Sequence, residues 1–296
     1  MIGLLPMTRC LSLTVVLLLA WHTAATAQQP SLTRTEPTPV LSAEGRSLEP
    51  WNHPGGSIGE GLAILGDDFL YLITSPLRPT LEGVAIAAGI GAGVGLVSLA
   101  DRDIRTAAGN HRHDRIGDVA DGVSQLGNAP VLLGLNLIGV TAAEFYRQYS
   151  GDRTHLDAAL VATEAQILAL VLSEGIGYAT ARSTPRESRD PFTFKWGRSS
   201  FPSSHTAQTF AVATVLADHY GLGVGAVAYA AATAVGAARI LQERHWGSDV
   251  VAGAALGWIV GHTLSLRRAQ HPPFLDFFPF ADPGTRTYGL MGSMQF

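Results

Sequence analysis

Six long apolar segments dominate the chain, at about residues 83–100, 122–145, 156–178, 205–218, 221–239 and 249–266. They are rich in Ala, Leu and Val, and none alternates apolar with polar residues as a half-buried strand does. Their lengths predict helices, so the expected fold is all-α, a helical bundle of about six core helices. A shorter amphipathic stretch runs from about Glu60 to Leu77 and leads to Pro76 and Pro79. A polar segment with helical spacing, about 114–127, lies between the first two long segments.

The run Gly89-Ile90-Gly91-Ala92-Gly93-Val94-Gly95 resembles a nucleotide loop in composition. It has no preceding strand and no βαβ context, which excludes that reading. Glycines four apart on a helix instead let a second helix approach closely, and a packing role is expected here. The final residues, Tyr288 to Phe296, alternate larger side chains and end in Phe. One strand cannot close a barrel, so residues 269–296 are expected to be a docked tail.

The ends of the chain divide it further. Arg9, the apolar run Leu11 to Ala20 and the small-x-small pattern Ala25-Thr26-Ala27 read as a secretory signal over residues 1–27. Residues 28–75 read as an extended, Pro- and Ser-rich arm followed by the amphipathic stretch, and 76–268 as one helical domain. The expected location is exported and periplasmic, soluble or membrane-associated, with an integral membrane protein as the alternative. Segments 83–100 and 220–238 approach the length of a membrane span, but Glu164 interrupts the third segment and the fourth is short. Membrane contact is a possible partnership.

Charge and cysteine content narrow the function. The net charge of −4 carries no basic excess of the kind that marks nucleic-acid binding. The one cysteine, Cys10, lies within the signal-like segment, so no disulfide is expected in a mature chain. No Cys/His set has zinc-ligand spacing, and neither a metal nor another cofactor is expected. The run His111-Arg112-His113-Asp114 is read as an exposed loop, since its arginine repels cations. His219 and His262 are read as structural.

The candidate chemistry sits in two motifs. Phe201-Pro202-Ser203-Ser204-His205 follows a loop and opens an apolar helical segment. Serine caps helices, and the free N–H groups at a helix start bind anions. Downstream, Arg239, His245 and Asp249 fall in an Arg-x5-His-x3-Asp spacing. A carboxylate on one imidazole nitrogen fixes the tautomer and leaves the other nitrogen nucleophilic. Arg239 offers a planar fork of donors to phosphate oxygens. Either motif alone is more often a capped and packed helix end. Together, in this order, they point to metal-free phosphoryl transfer through a phosphohistidine.

At these residues the chain resembles the type 2 phosphatidic acid phosphatase superfamily, which includes bacterial acid phosphatases and vanadium haloperoxidases. The similarity covers roughly residues 80–268. The resemblance implies that His245 attacks phosphorus, Asp249 orients His245 and His205 protonates the leaving oxygen. It also implies that Arg239 and backbone N–H groups near Ser203 and Ser204 hold the phosphate oxygens. The family's first motif, Lys-x6-Arg-Pro, aligns over Gly177 to Pro185, with Gly177 in place of the lysine and Thr184 in place of the arginine. Ser204 replaces a glycine of the second motif, and Ala238 a serine of the third. Arg182 is the expected substitute in the phosphate clamp, with Lys195 and Arg186 as further compensating cations. The implied activity is a phosphomonoesterase acting on a lipid phosphate, a polyprenyl diphosphate or a small phosphate ester. A vanadate-dependent haloperoxidase and a weakened phospholipid-binding relative are the alternatives.

Overall fold

A computed structural model of the chain describes residues 58–111, 115–196, 199–270, 275–282 and 287–294. The signal-like segment and the arm over 1–57 lie outside the described residues, as do Arg112, His113 and Asp114 of the histidine-rich loop. Helices account for nearly all of the described chain: α1 (Ile58–Thr74), α2 (Leu81–Leu99), α3 (Asp101–Gly109), α4 (Arg115–Ser124), α5 (Ala129–Ser150), α6 (Thr154–Thr180), α7 (Ser204–Tyr220), α8 (Leu222–Leu241) and α9 (Gly247–Gln270). The all-α expectation holds for this body, and five of the six apolar segments each form one helix, while 122–145 is broken by the turn Gln125–Gly127 between α4 and α5. The tail, expected as a docked segment, contains a hairpin. Strands β1 (Leu275–Asp282) and β2 (Thr287–Met294) pair antiparallel, with Leu275 opposite Met294 and Asp282 opposite Thr287.

Helix α7 is the axis of the bundle, flanked by α6, α8 and α9. The core around it is built from small side chains: Ala162, Ala165, Ala169, Ala207 and Ala211 pack with Val161, Leu168, Val215, Val260 and Leu264. Such residues let backbones approach. On α9, Gly253, Gly257 and Gly261 recur every fourth position and lie against α7. A Cβ on them would stand 2.5, 2.2 and 2.5 Å from the carbonyl oxygens of Ser203, Ala207 and Ala211. The glycines of α2, where close packing was expected, do not do this: a Cβ on Gly89, Gly91, Gly93 or Gly95 would meet nothing within 4 Å.

Among the described residues, five helices (α2, α5, α6, α8 and α9) are long and apolar enough to cross a membrane. Helix α2 buries none of its residues although it is almost wholly apolar, and Leu81, Leu96 and Leu99 are exposed on it. Leu135, Leu137, Ile138 and Phe145 are likewise exposed on α5. A water-soluble bundle turns such faces inward. These features support an integral membrane protein, the alternative rather than the leading expectation. Glu164, the residue that argued against a span, pairs with Arg268 at 3.3 Å inside the bundle.

Candidate active site

Alternate helices run in opposite directions, so the C-terminal ends of α6 and α8 and the N-terminal ends of α7 and α9 gather at one end of the bundle. His205 is the second residue of α7, Arg239 sits in the last turn of α8, and Asp249 in the first turn of α9. His245 lies in the short connection between α8 and α9. That connection is shaped by Glu243, which adopts a left-handed backbone conformation (φ 50°) uncommon for a residue with a side chain. The Arg239 carbonyl accepts from the N–H groups of Arg244 (3.1 Å) and His245 (3.4 Å), folding the histidine back over the helix end.

His245 is buried, and its Nδ1 donates to the Ser200 carbonyl at 2.7 Å. This differs from the expected bond to Asp249, whose Oδ2 lies 3.9 Å from Nδ1. A backbone carbonyl can only accept, so it fixes the proton on Nδ1 and leaves Nε2 with its lone pair. Burial, followed by the positive charge of Arg239, lowers the His245 pKa to about 3, which keeps the ring neutral. His205 is lowered to about 4, first by burial and then by Arg239 and Arg244.

Arg239 donates from Nη1 to Ser124 Oγ (3.1 Å) and to Gln242 Oε1 (3.0 Å), while its Nε is buried with no partner. A buried guanidinium N–H without an acceptor is expensive. Its place beside two histidines suits an anion. The start of α7 adds to this: Ser203 makes no side-chain cap, and its hydroxyl accepts instead from Thr206 at 3.0 Å. The first N–H groups of α7, from Ser204 onward, have no partner within the helix. The Ser203 N–H itself donates to the Asp249 carbonyl at 3.0 Å, so it does not face a ligand.

Arg182 does not join the phosphate clamp. It is buried, and its guanidinium is committed to protein: Nε to the Pro191 carbonyl (2.8 Å), Nη1 to Ser248 Oγ (2.8 Å) and Asp249 Oδ1, and Nη2 to Asp101 Oδ2 (2.8 Å). The indole of the buried Trp246 lies under it, 5.7 Å from the guanidinium carbon, and donates to the Ser183 carbonyl at 2.9 Å. Asp249 is thus held by Arg182 on one oxygen and by the Trp246 N–H (2.8 Å) on the other.

Of the compensating cations, Arg186 lies near the site, its Nε donating to the Gln242 carbonyl at 2.8 Å, one turn beyond Arg239. Lys195 is exposed, and its backbone N–H bonds the Ala181 carbonyl at 2.7 Å. Two residues were missed in the sequence. Arg244 is exposed, directly precedes His245 and acts electrostatically on both histidines. Its adjacency to His245 was the available signal. Asp101 is fully buried against Arg182 and Ser248. It lies outside every motif, and nothing in the sequence marked it.

Residues 170–271 match the model of the PAP2 superfamily. The match falls on the segment that carries all three motifs and bears out the resemblance read from them. Over 65 residues the chain is 45% identical to the lipid A 1-phosphatase of Porphyromonas gingivalis, a stretch covering 21% of this chain and 15% of that protein. The chain therefore matches only a small part of that relative's length. Among solved structures, it is similar to a transmembrane PAP2-type phosphatidylglycerolphosphate phosphatase from Bacillus subtilis (TM-score 0.47, 24% identity, 63% of this chain and 98% of that one). It is also similar to Aquifex aeolicus LpxE (TM-score 0.41, 23% identity, 56% and 93%).

Proposed function

We propose that this protein is a membrane phosphatase that hydrolyses a phosphate monoester or diphosphate of a lipid through a phosphohistidine on His245. The observation that carries the reading is the unpartnered, buried Nε of Arg239 beside a histidine whose Nδ1 is tied down and whose Nε2 is left nucleophilic. The five membrane-length helices and the partial identity to a lipid A 1-phosphatase favour a lipid over a soluble ester.

In the first step His245 Nε2 attacks phosphorus, the bond to the lipid oxygen breaks, and His205 gives its proton to the leaving alkoxide. In the second step water attacks phosphorus, the P–N bond breaks, and His205 takes the water's proton, releasing inorganic phosphate. Arg239 and the first N–H groups of α7 hold the equatorial oxygens, where charge concentrates in the transition state. His205 is neutral in the empty site. A bound phosphate places an anion beside the ring and opposes the burial and the arginine charges that depress it, so substrate itself loads the acid.

Phosphate release from phosphatidate, undecaprenyl diphosphate and p-nitrophenyl phosphate by the purified full chain in detergent tests this. Release should persist in EDTA and be inhibited by vanadate, and folded His245→Ala should sit at background. His205→Ala should retain most activity on p-nitrophenyl phosphate, whose leaving group needs little protonation. Activity abolished by chelation and restored by a divalent ion, or a folded and active His245→Ala, would sink the mechanism.

A further inference from the structure

We propose that Asp101 is a positioning residue of this centre, an inference that rests on the phosphohistidine reading above. Asp101 opens α3, 81 residues before Arg182, and its side chain is fully buried. Its Oδ1 accepts from the Ser248 N–H (2.9 Å), and its Oδ2 accepts from Ser248 Oγ (2.6 Å) and Arg182 Nη2 (2.8 Å). The other Nη of Arg182 bonds Ser248 Oγ and Asp249. One guanidinium therefore stands between two carboxylates, with the Ser248 hydroxyl bridging Arg182 and Asp101.

The charge count gives this arrangement its use. A single Arg182 cannot neutralise both Asp101 and Asp249, so negative charge is left over in the group. That surplus lies beside His245, because Asp249 Oδ2 is 3.9 Å from Nδ1. When Nε2 bonds to phosphorus the ring becomes cationic, and a nearby anion in a buried setting stabilises it. Without Asp101, Arg182 would pair with Asp249 alone, the surplus would vanish, and the carboxylate would be drawn toward the guanidinium. Asp101 touches no substrate. Its effect is transmitted through Arg182 and Asp249 to the ring.

Asp101→Asn is the direct test, with turnover, KM, melting temperature and inhibition by vanadate and by inorganic phosphate measured on one preparation. The kcat should fall about tenfold or more, on the scale of a lost charge-assisted hydrogen bond, with KM unchanged. Vanadate mimics the phosphoryl group in transfer and bonds the ring, so its inhibition constant should rise by a similar factor. Inhibition by phosphate should not change, and Asp101→Glu should recover part of the loss. An unchanged kcat, a loss that tracks the folded fraction, or a rise in KM and in the phosphate constant would each overturn the proposal. Should Asp101→Asn not fold, Ser248→Ala decides. It removes the bridging hydroxyl, so kcat should fall several-fold at constant KM, and an unaltered kcat overturns the idea. A wild-type chain without vanadate-sensitive phosphate release would instead sink the parent reading.

Discussion

As the pH falls from 7 to 5 the folded chain should lose stability through His245, and His245→Gln should remove that contribution. In the folded state, burial and the charge of Arg239 depress the ring from 6.5 to about 3, and the bond to Ser200, which acts the other way, does not prevail. The unfolded chain takes up a proton on this residue near pH 6.5, whereas the folded chain refuses it until about pH 3. Across that window the unfolded state binds more protons, so stability rises with pH and is lost as pH falls. The slope is about 1.4 kcal/mol per pH unit for one such group. Acidification to pH 5 then removes roughly 2 kcal/mol through His245 alone. His205, lowered to about 4, acts in the same direction. Glutamine can donate to the Ser200 carbonyl and does not titrate. Thermal melting in detergent at pH 7, 6 and 5 checks this. Wild type should lose about 4–8 °C more than the variant over the range, taking the dependence usual for a chain of this size. Parallel pH slopes for the two proteins would refute the argument, since the buried neutral histidine would then not be the source.

Gly257→Ala should lower stability by about 2 kcal/mol or more, because its methyl would meet the Ala207 carbonyl oxygen at 2.2 Å. Gly223→Ala, in α8 with nothing within 4 Å, should instead raise stability by about 0.5 kcal/mol; melting temperatures of the pair read both. Arg244→Ala should raise KM for a phosphate ester by about threefold to tenfold and spare kcat, since its exposed charge approaches the site without entering the hydrogen-bond set around His245. An unchanged KM for Arg244→Ala would leave Arg186 and Arg239 as the binding cations.

Long apolar segments made the helices legible, because lengths near 20 residues without alternation admit little else. The motif residues were legible for a different reason: their chemistry depends on spacing, and four residues put His245 in the turn before α9 and Asp249 in its first turn. What failed was the choice of partner. Arg182 carries charge and sits in the first motif's place, so it was assigned to phosphate, yet the buried Asp101 claims it from a different part of the chain. Similarly, Asp249 has the right type to hold an imidazole, but a backbone carbonyl at Ser200 reaches Nδ1 first. Carbonyl positions leave no trace in side-chain identity. The glycines tell the same story. Those of α2 and α9 have comparable spacing, and only the tertiary neighbours decide that Gly253, Gly257 and Gly261 meet another helix while Gly89 to Gly95 do not.

The gathering of His205, Arg239, His245 and Asp249 at one end of the bundle has a kinetic meaning. On the proposed lipid phosphatase activity, a reacting centre at one end of its own membrane-length helices would meet an amphiphile arriving sideways, with its tails still among other tails and only its head lifted clear. Encounter then takes place in a plane. The quantity that governs turnover becomes the share of the surface occupied by the phosphorylated species, and diluting that surface with inert amphiphile would slow the reaction even at constant bulk concentration. Product left behind in the same sheet competes on those terms as well.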